Sequence, residues 1–203
     1  MSTLLEWQNN LISDLDEWFN HLEGLSSEDK KKLDEHLVLV TTASDYFLNY
    51  IHTHPKEFIS LWKSDDLFRV YPGDYYLNIL QQKLKINLSI EEWMSRLRQF
   101  RHREMIRIIW RDVLKRAEVE ETLSDLSFLA DACLLQTVQM VQNFLGKKYG
   151  VPYDKAGRIQ TLQIITMGKL GGQELNLSSD IDLIFTYPEE GMTEGGEESI
   201  SNQ

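Results

Sequence analysis

The stretch LQIITMGKLGGQELNLSSDIDLIFTY, residues 162–187, decides how the rest of the chain is read. Two apolar runs, 162–167 and 181–185, are rich in β-branched or large side chains and flank a glycine-bearing turn and a short polar connection. That pattern predicts strand, turn, strand. Side chains alternate faces along a strand, so Asp180 and Asp182 share one face about 7 Å apart while Ile181, Leu183 and Phe185 take the other. The expectation is a core face opposite a face of paired charge.

Two ionised carboxylates so close at the edge of an apolar sheet need a counter-charge, and hard oxygen ligands suit Mg²⁺ or Mn²⁺. Gly168, Gly171 and Gly172 allow the backbone to turn tightly and present N–H groups, which is how a chain approaches phosphate without a side chain in the way. Paired acids on an exposed strand also serve simply to keep it soluble, so the Asp pair by itself assigns nothing. The glycines and the pair together point to phosphate plus metal.

The joined string MGKLGGQELNLSSDIDLIF, residues 167–185, resembles the signature of the glutamine synthetase adenylyltransferase and adenylyl-removing enzymes, within the polymerase-β-like nucleotidyltransferase superfamily. Two upstream segments, YFLNYIHTHPKEFISLW (46–62) and WMSRLRQFRHREMIRIIWRDVL (93–114), are similar to the helical region preceding that signature. The resemblance runs from about residue 40 onward, loosely over 64–88. It implies two kinds of module, one transferring AMP from ATP to a tyrosine of glutamine synthetase and one removing it with phosphate to give ADP. The chain opens at a methionine with the signature near residue 170, a position that resembles the N-terminal, adenylyl-removing module. By the same resemblance Asp180 and Asp182 are catalytic metal ligands, and Gly171 and Gly172 form the phosphate-approach turn. Lys169 and Ser179 are further phosphate contacts. The implied partners are glutamine synthetase, ATP or ADP, phosphate and a PII-type signalling protein. Sites of this superfamily use a third carboxylate on a later strand. The acids after the pair (Glu189, Glu190, Glu194, Glu197, Glu198) lie in a Gly-rich segment without a strand pattern. The expectation is therefore the N-terminal part of a longer enzyme, inactive alone and weak in Mg²⁺ binding. Two alternatives stay open: another metal-dependent nucleotidyltransferase acting on RNA ends or a small molecule, and a non-catalytic helical module that binds a partner.

Charge narrows the choice. With 32 acids against 21 Lys and Arg, the formal net charge is −11, which argues against non-specific nucleic-acid binding. The single Cys133 has no disulfide partner and reads as a small core residue. No apolar run approaches membrane-spanning length, and acids (Glu6, Asp14, Asp16, Glu17) stand where a signal peptide is basic; the expected compartment is cytoplasmic, with no membrane partner.

The remainder predicts helices. Residues 4–22 carry an amphipathic stripe. Ser26 with Asp29 suggests a capping box opening a helix whose stripe is Leu33, Leu37, Val40, Phe47 and Ile51. His52 and His54 precede Pro55; the pair reads as a helix boundary rather than a metal site. Phe58, Leu61 and Trp62 mark a short helix, 64–74 a loop and 75–84 a further helix. Ser89 with Glu92 caps a long helix to about Ala117, and 120–149 forms another. In the first of these long helices Arg96, Arg103, Arg107, Arg111 and Lys115 form one basic stripe. It is either a solvated ion-pair ladder or an anion surface, in which case Arg103 and Arg107 are the candidate anion contacts. The fold class is α+β: a mostly helical region over 1–150, then the start of a polymerase-β-like nucleotidyltransferase sheet over 151–203, incomplete at the C-terminus. The segment 188–203, acidic and glycine-rich, reads as a mobile loop.

Overall fold

The computed structural model describes residues 27–84 and 88–201, so the predicted helix over 4–22 and Ser26 of the predicted cap lie outside the described residues. The fold is α+β with helices first. In order come α1 (Ser27–Ala43), α2 (Asp45–Thr53), α3 (Pro55–Lys63), a single 3-10 turn (Asp66–Phe68), α4 (Tyr75–Lys83), α5 (Ile90–Val113) and α6 (Val119–Tyr149). The strands follow: β1 (Gly150–Asp154), β2 (Gln163–Thr166), the one-turn helix α7 (Gly168–Gly171), β3 (Leu183–Thr186) and β4 (Gly191–Gly195). Two compact units divide the chain: one runs up to Val70 and adds His102–Thr122, the other holds Tyr71–Arg101 and everything from Leu123 onward. No helix among the described residues is long and apolar enough to cross a membrane.

Local chemistry explains most boundaries. The stripe from Leu33 to Ile51 is one continuous pattern in sequence but two helices in the structure, because Ser44 adopts an extended conformation and its Oγ accepts from the Phe47 N–H at 3.2 Å. Pro55 opens α3 as its fixed φ favours. Ser89 and Glu92 form the reciprocal cap, each side chain accepting from the other's backbone N–H (3.2 and 3.1 Å). The expected loop over 64–74 contains the 3-10 turn, whose Leu67 is fully buried.

The core of the first unit gathers Leu33, Leu37, Val40, Phe47, Phe58, Leu61 and Leu67 around Ile106, Ile109 and Trp110 of α5. Trp110 is fully buried and meets Phe47, Phe58 and Trp62 at centroid distances of 5.9, 5.9 and 5.6 Å. Every position from Glu104 to Arg111 is buried, so α5 is covered on all sides there.

Three members of the basic stripe, Arg103, Arg107 and Arg111, are drawn toward this interior, while Arg96 and Lys115 stay exposed. Arg107 is fully buried; its Nε donates to Glu104 Oε2 at 2.9 Å and its Nη1 to the Arg69 carbonyl at 3.0 Å. Arg111 donates to the Phe68 and Arg116 carbonyls (2.8 and 3.2 Å) and pairs with Glu121. Arg103 pairs with Asp66 and Glu104. Of the two readings of the stripe, this placement favours the ion-pair ladder.

In the second unit α6 ends at Tyr149 and strand begins at once. β1 pairs antiparallel with β4, from Gly150↔Gly195 to Asp154↔Gly191. Over 188–201 the acidic segment is therefore not a free loop. Thr193 within it is buried, its N–H donates to the Ile200 carbonyl at 2.9 Å, and its Oγ1 accepts from the Ile200 N–H at 3.0 Å. Glycine makes the pairing possible: a Cβ on Gly196 would stand 2.2 Å from the Gly150 nitrogen. Cys133 is half-buried on α6, and burial pushes its thiol up to about 11, an unreactive state.

Candidate functional site

The strand-turn-strand exists as a two-stranded antiparallel ribbon, β2 on β3, with register Gln163↔Thr186 to Thr166↔Leu183. The Met167 N–H donates to the Asp182 carbonyl at 3.0 Å and carries the ladder one step past the strand ends. Asp180 and Asp182 thus stand on the approach to β3 and not within it. The expected core face is also not formed. Ile181 and Phe185 are exposed, at 40% and 58%, and Leu183 is only half-buried. A two-stranded ribbon has two faces to cover, and among the described residues no element covers either enough to bury alternate residues.

The turn between the strands is tightly specified. Gly168 has φ of 57°, in the left-handed region, and a Cβ there would stand 3.9 Å from Asp182 Oδ2. A Cβ on Gly171 would lie 2.5 Å from the Thr166 carbonyl oxygen, so only glycine allows α7 to fold back over β2. Leu170, between them, is buried.

Beyond the turn a polar loop gathers the other predicted residues. Lys169 Nζ donates to Ser179 Oγ at 3.4 Å, and Ser179 Oγ donates to Asn176 Oδ1 at 2.6 Å. The Asn176 N–H donates back to Ser179 Oγ at 3.3 Å, and the Ser178 N–H donates to Asn176 Oδ1 at 3.2 Å. Gly168, Lys169, Ser179 and Asp182 are thereby held on one turn and the loop that returns from it. Asp180 and Asp182 are exposed, and neither carboxylate makes a hydrogen bond or ion pair among the described residues. That leaves two hard oxygen donors open to a cation, the donor chemistry that Mg²⁺ or Mn²⁺ takes. Among the described residues no group of three or more His, Cys, Asp or Glu side chains could hold a metal. Arg103 and Arg107 belong to the other unit.

Sequence reasoning missed what holds the turn in place. Ser127 of α6, fully buried, accepts from the Leu175 N–H at 3.1 Å while its Oγ–H donates to the Leu123 carbonyl at 2.8 Å. Gln173 Nε2 donates to Asp131 Oδ2 at 2.9 Å, one turn further along α6. Asn176 had a signal, since an Asn two residues before a serine pair suits a side-chain-bonded turn. Ser127 had none, because its partner lies 48 residues away.

Comparison with known proteins now adds to this geometry. Residues 34–203 match the family model described as glutamate-ammonia ligase adenylyltransferase. Among curated relatives, the chain is 40% identical over 200 residues to the bifunctional glutamine synthetase adenylyltransferase/adenylyl-removing enzyme of Nitrosococcus oceani, covering 97% of this chain and 20% of that protein. The like-named protein of Shewanella oneidensis is 41% identical over 187 residues, covering 92% and 19%. That of Pseudomonas aeruginosa is 39% identical over 165 residues, covering 81% and 17%. The chain spans about one fifth of the length of these relatives.

Proposed function

Because the chain belongs to the glutamate-ammonia ligase adenylyltransferase family, we propose that it forms part of the enzyme that adenylylates and deadenylylates glutamine synthetase. We assign residues 167–185 to the module that removes AMP from a glutamine synthetase tyrosine. The observation that carries this reading is the pair of unpartnered carboxylates, Asp180 and Asp182, beside a glycine turn whose Lys169 is already bonded to Ser179. The removing direction rests on the sequence likeness alone.

In the reaction proposed, an oxygen of inorganic phosphate attacks the phosphorus of the tyrosine-linked AMP. The bond from phosphorus to the phenolic oxygen breaks, its electron pair leaves with that oxygen, which takes up a proton, and the new P–O–P link makes ADP. Asp180 and Asp182 would hold Mg²⁺ or Mn²⁺, which when bound neutralises charge on the attacking and leaving oxygens. Lys169 and Ser179 bind and orient phosphate oxygens, the ammonium as a point charge and the hydroxyl as a donor. Gly171 keeps the backbone close, and Gly172 extends the open turn.

The test uses a full-length enzyme containing this chain. Asp180→Asn or Asp182→Asn should lower phosphate-dependent ADP release from adenylylated glutamine synthetase by about a thousandfold, roughly 4 kcal/mol of transition-state stabilisation. The melting temperature should hold or rise, because like-charge repulsion is relieved. Activity within tenfold of wild type would overturn the assignment. Loss of ATP-dependent transfer with removal intact would reverse the direction.

A further inference from the structure

In the first unit a cleft of about 460 Å³ opens between α1, the end of α3 and the 3-10 turn, within the size range of small-molecule sites. Trp62 and Phe68 form its apolar wall, edge to face at 5.5 Å. The Arg116 guanidinium lies 4.9 Å over the Phe68 ring, which holds a cation at the wall without neutralising it. Lys63 is exposed beside it and has no ion-pair partner among the described residues. Lys32 adds a third positive charge from α1, where it already pairs with Glu28 at 2.8 Å. Against these three stands one lining carboxylate, Asp65, carried on a left-handed residue (φ 58°). His36 completes the lining, and its Nδ1 is buried with no hydrogen-bond partner. Burial, then the neighbouring Arg116, lower the His36 pKa against the opposing pull of Glu35.

In a chain of net charge −11, three cations gathered at a cleft with two aromatic rings are not a generic surface. Cations that served only solubility would be spread among the acids and would not converge on a concave apolar wall. We infer that this cleft binds a small phosphorylated compound with a flat ring, of mononucleotide size. The ring packs against Trp62 and Phe68, and the phosphate meets Lys63 and Arg116. All lining residues belong to the first unit and none is a residue of the signature. The inference stands whether or not the signature assignment does.

The probes are AMP, adenosine and inorganic phosphate, added to the isotope-labelled chain and followed by amide and indole resonances. AMP should shift the Trp62 indole and the Lys63, Asp65 and Arg116 amides. Adenosine and phosphate alone should each bind at least about tenfold more weakly, since each lacks one half of the recognition. Lys63→Gln and Arg116→Gln, both at exposed positions, should each weaken AMP about tenfold. Absence of shifts at these residues up to millimolar AMP would overturn the site, as would AMP affinity unchanged from wild type in both variants. Phosphate binding as tightly as AMP would overturn the role of the rings. The wild-type shift map decides the matter alone should either variant misfold.

Discussion

The first unit and the β2–β3 ribbon treat large side chains in opposite ways. Around Trp110, most aromatic and aliphatic groups are buried to within a few per cent of completely, and Arg103, Arg107 and Arg111 of the α5 stripe are folded inward and matched. On the ribbon, Ile165, Ile184 and Phe185 are 49%, 49% and 58% exposed on both faces. The apolar content of the two sequences does not predict this difference. What separates them is the number of layers: helices surround Trp110 from several sides, whereas among the described residues no full layer closes over either face of the two strands. The ribbon keeps its shape through its turn, and the turn holds the predicted catalytic groups.

The largest effect that would sharpen this contrast is expected at Glu104. It is fully buried and accepts from the Arg107 guanidinium, itself fully buried, at 2.9 Å. Glu104→Gln leaves Arg107 with a neutral partner in a dry interior, and removing one member of such a pair costs about 3–5 kcal/mol. Chemical denaturation of the variant should show that loss. A loss under about 1 kcal/mol would mean that the ladder behaves like a solvated surface pair.

How much of this was legible beforehand follows the same line. Period and caps revealed the helices: Ser89 with Glu92 and His54 before Pro55 mark real ends, and the glycine turn between two apolar runs is real. Ser44 was also legible in principle, since Ser followed by Asp is a cap signal, but the unbroken apolar stripe outweighed it. The β1–β4 pairing was not legible. Neither strand alternates apolar and polar residues, and what joins them is the close approach of Gly150 to Gly195 and Gly196, far apart in sequence. The partners of the arginines were hidden for a related reason, because Asp66 and Glu121 come from other segments. At the candidate site, the residues Gly168, Lys169, Ser179 and Asp182 were readable because they are contiguous in sequence. Ser127, their support, was not.

Ser127 supplies the intermediate effect. Its Oγ is the acceptor for the buried Leu175 N–H, so Ser127→Ala leaves that donor unpaired, a cost of about 1–3 kcal/mol. The loss should be local, visible as faster hydrogen exchange at Leu175 and Asn176 with α1 to α3 unchanged. Uniform exchange changes across both units would show that the signature turn has no separate anchor.

The smallest effect is expected on the ribbon itself, and its smallness is the test. Phe185 is opposite Ile164 in the register, and its side chain is 58% exposed. Truncating a buried phenylalanine costs about 3–5 kcal/mol, most of it transfer and cavity energy. Neither term applies fully to a ring already in water, and surface changes usually fall within about 0.5 kcal/mol. Phe185→Ser should therefore leave the melting temperature of this chain nearly unchanged. It should also reduce self-association, because an exposed apolar ribbon with unpaired edges invites edge-to-edge pairing. A fall in stability comparable to that of Glu104→Gln would show that the ring is packed in solution, and the contrast between the two regions would fail.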